Sequence, residues 1–167
     1  MESRETKLLV KRAQKKDKAA FASLIQLYTK DMYRTSTAIL MNEEDAADAI
    51  QNTILLCWEK LYTLRRVEYF KTWMTRILIN QCKNILRYNS GCEWLELVEE
   101  PSCCDEYNIE LKEAYASVNE PYRLPLELYY NQGFKVREIA EILSLPENTV
   151  KTRLSKGRKI LKDYYSA

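Results

Sequence analysis

Glycine and proline are scarce in this chain, and their scarcity restricts the folds open to it more than any other feature of the sequence. Three glycines and four prolines occur among 167 residues. Sheet-rich folds use both residues at their many turns, whereas helix interiors exclude both. Apolar residues also recur at helical spacing, as at Phe21, Leu24, Ile25 and Tyr28. The sequence therefore predicts an all-α fold.

The first half of the chain divides into predicted helices at short breaks. Apolar residues at helical spacing predict a first helix from about residue 6 into the late twenties or thirties. The pattern continues through a second segment, residues 30–40. Asn42, followed by Asp45 three residues later, is typical of a helix N-cap and predicts a helix over residues 43–61. After a loop at residues 62–69, a further helix is predicted over residues 70–88 and should end at the Asn89-Ser90-Gly91 sequence.

The second half begins with a segment that has no regular period. Residues 91–108 contain Pro101-Ser102 and many acids, and we expect a flexible acidic linker in which residues 94–98 could form a short helical piece. Helices are predicted over residues 109–118, from Pro121 to about residue 131, over residues 136–143 and from about 147 to 164. These patterns predict two small helical domains, residues 1–90 and 109–167, joined by residues 91–108.

The composition argues against catalysis. The chain has no histidine, so it lacks the commonest general base and the commonest metal ligand. It also has no glycine-rich phosphate loop and no serine or cysteine in a nucleophile motif. We therefore expect no catalytic residues, no cofactor and no metal.

Five cysteines occur, but their spacing fits no CxxC pair. Cys57 and Cys82 fall within apolar helical runs, so we expect them to be small core residues. The Cys103-Cys104 pair stays unassigned, with a redox or metal role open.

No apolar stretch approaches the roughly 20 residues that a membrane helix needs. Residues 1–18 are charged and lack the apolar centre of a signal peptide. We therefore expect a cytoplasmic protein without direct membrane insertion, in which disulfides would not form.

Charge is distributed unevenly along the chain despite a net charge of only +2. Residues 65–87 carry six basic residues against Glu68, and residues 151–162 carry six basic residues and no acid. Residues 93–113 between them are strongly acidic. This arrangement indicates two nucleic-acid contacts joined by a linker that avoids phosphates. The alternative is three solvated faces without a ligand.

The last two predicted helices form a helix-turn-helix pattern. The turn at residues 144–146 separates them, and Ala140 is small where they would cross. Val150, Leu154 and Leu161 form the apolar stripe of the second helix. Its opposite face carries polar and basic residues that suit a major groove: Asn148, Thr152, Ser155, Lys156 and Lys159, flanked by Lys151, Arg153 and Arg158. The alternative is a helical hairpin with a solvated basic face.

The second helix also resembles a known family. Residues 144–161, SLPENTVKTRLSKGRKIL, are similar to the region 4.2 signature of the extracytoplasmic-function (ECF) sigma factors. Residues 45–51, DAADAIQ, with Trp58 resemble region 2.2, and residues 70–80, FKTWMTRILIN, with Arg87 resemble regions 2.3 and 2.4. The chain differs from the usual family pattern at Asn52, Ile54, Ile79 and Asn84.

The resemblance implies a non-catalytic subunit that directs core RNA polymerase to promoters and assists melting at the −10 element. It assigns the polar and basic residues of the second helix to the −35 element and adds Thr149 to them. It implies a −10 surface formed by Tyr62, Arg65, Arg66, Tyr69, Arg76, Asn80, Lys83, Asn84 and Arg87. It places Asp45, Asp48 and Gln51 toward polymerase. Trp73 is expected in the core, whereas Phe70, Tyr62 and Tyr69 could each serve either the core or a base pocket.

The implied partners are core RNA polymerase, through its β′ clamp helices and β flap, promoter DNA, and a membrane-bound anti-sigma factor in a stress response. A dimeric helix-turn-helix regulator is one alternative, but it would leave the first half unexplained. A helical adaptor without a DNA role is a second, and an enzyme a third.

Overall fold

A computed structural model describes residues 4–91 and 109–166, with side chains described at 4–90 and 113–166. All regular structure in these two ranges is helical. The predicted acidic linker, the helical piece at 94–98 and Cys92, Cys103 and Cys104 lie outside the described residues.

The first half contains four helices around one core. They are α1 (Arg4–Gln14), α2 (Lys18–Leu40), α3 (Glu43–Lys60) and α4 (Phe70–Gly91), with 3-10 turns at Leu61–Thr63 and Val67–Tyr69. Helices α2, α3 and α4 pack against one another, and α1 packs on α2. Large side chains at the centre are fully buried: Leu24, Met32, Phe70, Met74, Leu78 and Ile79. The apolar periodicity that predicted these helices therefore marks their shared core.

The first helix break lies earlier than the sequence predicted. The chain turns at Lys16, whose φ is +67°, and the Asp17 carboxylate accepts a hydrogen bond from the Ala20 amide at 3.0 Å. Arg12 also forms a 2.7 Å ion pair with Asp17. Asp17 thus caps α2, which runs unbroken to Leu40, so the single helix expected from near residue 6 into the late twenties or thirties is wrong.

The predicted end of α4 is also displaced. The helix includes Asn89 and Ser90 and extends to Gly91. The Ser90 hydroxyl donates to the Arg87 carbonyl at 3.1 Å, so this residue is accommodated within the last turn. Helix-weakening residues lower propensity but do not by themselves terminate a helix.

The second half is a smaller helical unit. It contains α5 (Ile109–Ala116), α6 (Glu120–Leu126), α7 (Val136–Leu143) and α8 (Glu147–Ser166). Residues Glu127–Asn131, predicted as the end of one helix, instead form a π-helical turn that continues α6. Pro125 inside α6 has no amide hydrogen, so the helical hydrogen bond to the Pro121 carbonyl is missing just before this turn. The core of this unit includes Val118, Leu126, Leu128, Ile139, Val150 and Leu154.

The two halves contact each other in this structure. Helices α2 and α4 of the first half pack against α6, its π-helical turn and α7 of the second half. This packing leaves the solvent-facing sides of α3, α4 and α8 on the outside, where the sequence placed its candidate sites.

Within the described ranges, no helix has the combined length and apolar character to span a membrane. The same residues contain no cluster of acids and cysteines that could hold a metal ion.

Candidate nucleic-acid and polymerase interfaces

The turn between α7 and α8 sets the geometry of the candidate −35 surface. Helix α7 ends at Leu143 and is capped by Ser144, which adopts a left-handed conformation with φ +54°. The Leu145 amide donates to the Ala140 carbonyl at 2.9 Å. Glu147 then begins α8, as the sequence predicted. Val150 and Leu154 are buried, so the opposite side of α8 faces solvent. The helix-turn-helix pattern is confirmed.

The predicted −35 residues lie along that solvent-facing side. Most are exposed, and Thr149 and Arg153 are half-buried; the exposed ones are Asn148, Lys151, Thr152, Ser155, Lys156, Arg158 and Lys159. The Thr152 hydroxyl donates to the Asn148 carbonyl one turn earlier at 2.9 Å. Arg158 donates to the Tyr130 hydroxyl at 3.3 Å, which holds this guanidinium beside the π-helical turn. The lysines are thus presented to solvent, while Arg158 is positioned by its own domain.

A groove runs beside this surface, between the start of α6 and α8. It has a volume of about 370 Å³ and is lined by Pro121, Tyr122, Asn148, Thr149, Thr152, Arg153 and Lys156. Gly157 permits the close approach of the two helices, because a Cβ there would lie 2.8 Å from Leu126 Cδ1. Two cations, hydroxyl groups and a tyrosine around one groove suit a phosphate of a DNA backbone. Sequence reasoning missed Tyr122, which joins this groove only through the packing of α6 on α8.

Helix α4 carries the predicted −10 surface. Arg76, Asn80, Asn84 and Arg87 are exposed and Lys83 is half-buried. The same stretch of sequence also contains Leu78, Ile79 and Cys82, which are buried in the core. The spacing of the polar residues places them on successive turns of the outer face. Asn80 therefore presents its amide, which can both donate and accept, to solvent between two arginines.

The segment between α3 and α4 separates the aromatic residues into two groups. Phe70 is fully buried, and Trp73 is half-buried with its ring 6.0 Å from that of Phe70. Trp73 therefore belongs to the core, as expected, and so does Phe70, which the sequence left open. Tyr62 and Tyr69 are instead exposed, by 73% and 41%. They are available to bases in a way that core residues are not.

Interactions within the same segment restrain its basic side chains. Arg66 pairs with Glu68 at 2.9 Å and lies 4.8 Å from the centre of the Tyr69 ring, whereas Arg65 is exposed. A hydrogen bond from the backbone amide of Glu68 lowers the pKa of its carboxyl, and Arg66 lowers it further. Gln14 donates to the carbonyls of Leu61 and Leu64, which attaches this segment to α1.

Helix α3 presents the residues predicted to face polymerase. The Asn42 side chain accepts from the Asp45 amide at 2.9 Å, so the predicted N-cap is confirmed. Asp48 and Gln51 are exposed, whereas Asp45 is half-buried and accepts from the Asn89 side chain at 3.2 Å. Leu55, one turn beyond Gln51, is 62% exposed and was missed. Its side chain adds apolar surface to this otherwise polar face.

Buried cysteines are inert in this arrangement. Cys57 and Cys82 are free and fully buried, which confirms their expected place in the core. Burial raises the pKa of each thiol from 9.0 to about 12, so neither is a thiolate at neutral pH.

Comparisons with known proteins match the two halves of the chain to two regions of one protein family. Residues 24–91 match the family described as Sigma-70 region 2, and residues 109–161 match Sigma-70, region 4. The sigma factor SigV of Bacillus subtilis is 28% identical over 150 residues, which cover 87% of this chain and 90% of SigV. The ECF sigma factor SigW of the same species is 26% identical over 173 residues, covering 92% of each protein.

Two solved structures share the fold. CnrH in complex with the cytosolic domain of CnrY has a TM-score of 0.72 at 17% identity and covers 97% of each chain. RpoE of Bartonella quintana in complex with the anti-sigma factor NepR has a TM-score of 0.74 at 19% identity, covering 88% of this chain and 97% of RpoE.

The alternatives drawn from the sequence do not account for these matches. A helix-turn-helix regulator or a helical adaptor needs no region 2, yet the first half matches that region over residues 24–91. The factors in this family initiate transcription without catalysing a reaction of their own. The chain belongs to the sigma-70 family and is an RNA polymerase sigma factor of the ECF subfamily.

Proposed function

We propose that the first domain, residues 1–90, binds the polymerase clamp and the −10 element, and that the second, residues 109–167, binds the −35 element, with residues 91–108 as the linker. The observation that supports this most directly is the presence of two separate polar and basic surfaces, on α4 and α8. Neither surface is covered by the packing between the two halves. Such surfaces fit the phosphates of a duplex and the base edges between them.

At the −35 element, α8 enters the major groove. Asn148, Thr149, Lys151, Thr152 and Ser155 lie toward its N-terminal half, where a recognition helix meets base edges. The other residues predicted for the −35 element hold phosphates: Arg153, Lys156, Arg158 and Lys159. The groove lined by Arg153, Lys156 and Tyr122 holds one such phosphate beside the helix.

At the −10 element, a base leaves the duplex and is held by the chain. Unstacking one base costs a few kcal/mol, which aromatic contacts and hydrogen bonds must offset. Exposed Tyr62 and Tyr69 provide the aromatic contacts, and Asn80 provides the hydrogen bonds. The arginines and lysine around them hold the strand by its phosphates: Arg65, Arg66, Arg76, Lys83 and Arg87. Asn84 lies next to them on the same helix face.

Protein partners follow from the same arrangement. Asp45, Asp48 and Gln51 on α3 contact the β′ clamp helices of core polymerase, and Leu55, one turn beyond Gln51, adds an apolar contact. The second domain contacts the β flap. A membrane-bound anti-sigma factor controls the chain in a stress response, an idea supported by the complexes in which CnrH and RpoE were solved. Binding to polymerase and DNA places the protein in the cytoplasm.

Run-off transcription tests the proposal. Core polymerase is incubated with genomic promoter fragments, with and without the protein, and the start sites of the transcripts are mapped. We expect transcripts from a small set of shared promoter sequences only when the chain is added. Promoter-independent transcription, or none, would contradict the proposal even if the chain bound duplex DNA alone.

A further inference from the structure

The 3-10 turn at Leu61–Thr63 carries the exposed Tyr62 between two buried leucines. Leu61 and Leu64 are buried, whereas the Tyr62 side chain lies in solvent. The Leu64 amide donates to the Leu61 carbonyl at 3.1 Å, and the Thr63 hydroxyl donates to the Lys60 carbonyl at 2.7 Å. The turn therefore presents Tyr62 from a backbone whose two ends are held in the core.

Gln14, the last residue of α1, is bonded to both ends of this turn. Its side-chain nitrogen lies 3.2 Å from the Leu61 carbonyl oxygen and 2.8 Å from the Leu64 carbonyl oxygen. Both partners are acceptors, so only the two N–H groups of the amide can serve them. Leu64 has an extended backbone with φ −73° and ψ 104°, which takes its carbonyl out of the helical hydrogen-bonding pattern. Gln14 thus joins two carbonyls that lie on either side of Tyr62.

Helix α1 and the residues after it contact the same segment at two further places. The Lys16 ammonium donates to the Trp58 carbonyl at 3.3 Å and lies 4.8 Å from the centre of the Trp58 ring. At the other end of the segment, the pKa of the Glu68 carboxyl is lowered by its own backbone amide, by Arg66 and also by Lys7 of α1. The α1 side of the domain therefore follows this segment from the end of α3 to the second 3-10 turn.

The position of Gln14 indicates that it acts through the turn and not by contact with a base. Its side chain is half-buried, and its donors are directed to carbonyls of the protein. Sequence reasoning missed it, because its partners lie 47 and 50 residues further along the chain. The contact exists only once α1 has packed on the segment between α3 and α4.

A base that leaves the duplex is held best by a surface that is already ordered. An aromatic side chain on a loose turn would lose conformational freedom when it stacked on a base, and that loss would subtract from the binding free energy. Fixing the turn before DNA arrives avoids the loss. Two hydrogen bonds from one side chain are a direct way to fix a turn of three residues.

We propose that Gln14 is a positioning residue for the −10 element: it fixes the turn that presents Tyr62 and so prepares the pocket for an unstacked base without touching DNA. This inference rests on the proposed function, which assigns the segment between α3 and α4 to the −10 element. It adds a residue of α1 to a surface whose other members lie between residues 62 and 87.

Hydrogen exchange in the full chain tests the local effect. Gln14→Met removes both donors but keeps a long, unbranched side chain that suits a helix. We expect the Leu64 amide to exchange about tenfold faster in this variant, because two hydrogen bonds that hold the turn are lost. The Met32 amide, in the middle of α2, should exchange at its original rate. Gln14→Lys restores a donor of similar reach, so its Leu64 amide should exchange more slowly than that of Gln14→Met.

Promoter opening tests the functional effect. With core polymerase, Gln14→Met should lower the ratio of open to closed complexes on a cognate promoter about fivefold, the effect of one side chain that must be ordered on binding. Its affinity for a −35 duplex should not change. Gln26→Met, which alters an exposed amide of α2, is the matched control and should change neither measurement.

A double-mutant cycle shows whether Gln14 acts through Tyr62. Binding to fork-junction DNA with an unpaired −10 strand is measured for Gln14→Met, Tyr62→Ala and the double variant. If Gln14 acts by positioning Tyr62, Gln14→Met should have no further effect once the tyrosine ring is gone. Additive losses would assign Gln14 a role that does not depend on Tyr62 and overturn the proposal.

The other outcomes separate this inference from the proposed function. An unchanged Leu64 exchange rate in Gln14→Met, or normal promoter opening by that variant, overturns the positioning role and leaves the proposed function intact. A loss of opening that follows the thermal stability of the Met, Lys and control variants would show that Gln14 serves only the stability of the fold. If the unaltered chain opens no promoter, the proposed function fails and the positioning role fails with it.

Discussion

At the scale of single residues, exposure separates side chains that the sequence left equivalent. Tyr62 and Phe70 are both aromatic residues in the segment assigned to promoter melting, yet one is 73% exposed and the other fully buried. Asn80 is exposed, although Ile79 directly before it and Cys82 two positions after it are buried. A residue that contributes little to the core but is presented at a basic surface is best tested by its effect on function.

Asn80→Ala should weaken promoter opening at cognate −10 sequences more than it weakens duplex binding. Loss of an amide that reads one base removes about 1–3 kcal/mol of discrimination. Permanganate reactivity of unpaired thymines measures opening on cognate and altered −10 sequences. Gln26→Ala, another exposed amide, is the control. Equal loss on every −10 sequence would argue against base reading by Asn80.

Lys156→Ala should weaken binding to −35 duplexes by a similar factor for all sequences. If Lys156 neutralises one phosphate in the groove beside Tyr122, the slope of log affinity against log salt should fall by about 1. Fluorescence anisotropy at several salt concentrations measures this slope. Lys162→Ala on the same helix, outside the groove, should leave the slope unchanged. An unchanged slope for Lys156→Ala would remove this lysine from the phosphate contacts.

At the scale of elements, the close contact between α6 and α8 determines the shape of the −35 surface. Gly157 is buried in α8 against Leu126 and Tyr122 of α6. Without a side chain at this position, α8 lies close enough for Tyr122 to line the groove with Arg153 and Lys156. Packing against α6 gives the physical reason for a small residue at this position.

Gly157→Val should therefore destabilise the second domain by about 2 kcal/mol, because overpacking a core contact outweighs any gain in helix propensity. The nearest Leu126 atom would lie 2.8 Å from the new Cβ. Urea unfolding followed by circular dichroism measures the loss. Ser155→Val, at an exposed position of the same helix, controls for the lower helix propensity of valine. Equal destabilisation by both substitutions would show that the contact with α6 tolerates a side chain.

At the scale of the whole molecule, the two domains meet through apolar residues as well as buried polar groups. The buried apolar residues of both halves form one hydrophobic cluster, which includes Cys57 and Cys82 of the first domain, and Gln132 and Arg123 add hydrogen bonds to α2. Two buried oxygens of the second domain, Glu127 Oε1 and Gln132 Oε1, have no hydrogen-bond partner, which lowers the stability of the contact relative to the separated state. We therefore expect the domains to separate before either one unfolds.

The two core thiols provide a test of that order. In the variant with Cys92, Cys103 and Cys104 replaced by serine, Cys57 and Cys82 should react with a thiol reagent only as fast as their domain opens. Adding Gln132→Ala should not speed the reaction, because separating the domains leaves the thiols buried. Faster labelling would instead show that the interface stabilises the core of the first domain.

The same buried thiols should make the folded protein less stable at alkaline pH. Burial raises the pKa of both from 9.0 to about 12, so the unfolded chain releases these protons at lower pH than the folded chain does. Stability from this source is complete below pH 9 and is lost as the pH rises from about 9 to 12. Thermal unfolding across this range should show a smaller decrease for the Cys57→Ala variant. An equal decrease in both proteins would assign the alkaline loss to other groups.

The sequence by itself determined what depends on neighbours along the chain. Apolar spacing located the helices, Asn42 marked the start of α3, and the turn before Glu147 together with the Val150 and Leu154 stripe defined the helix-turn-helix. The break at Lys16 was also locally encoded, through the Asp17 cap, although apolar spacing had predicted one helix from near residue 6 into the late twenties or thirties. Such features are predictable because their hydrogen bonds and shared faces lie within a few residues.

Only the tertiary structure decided which distant residues meet. Gln132 reaches Asp31 and Thr35 across about a hundred positions of sequence, and Tyr122 joins the −35 groove because α6 packs on Gly157. No periodicity encodes these contacts, since they depend on how completed helices stack and on which polar groups find partners when buried. The sequence therefore determined the helices and the chemistry of their outer faces, and tertiary packing decided how the two domains are joined.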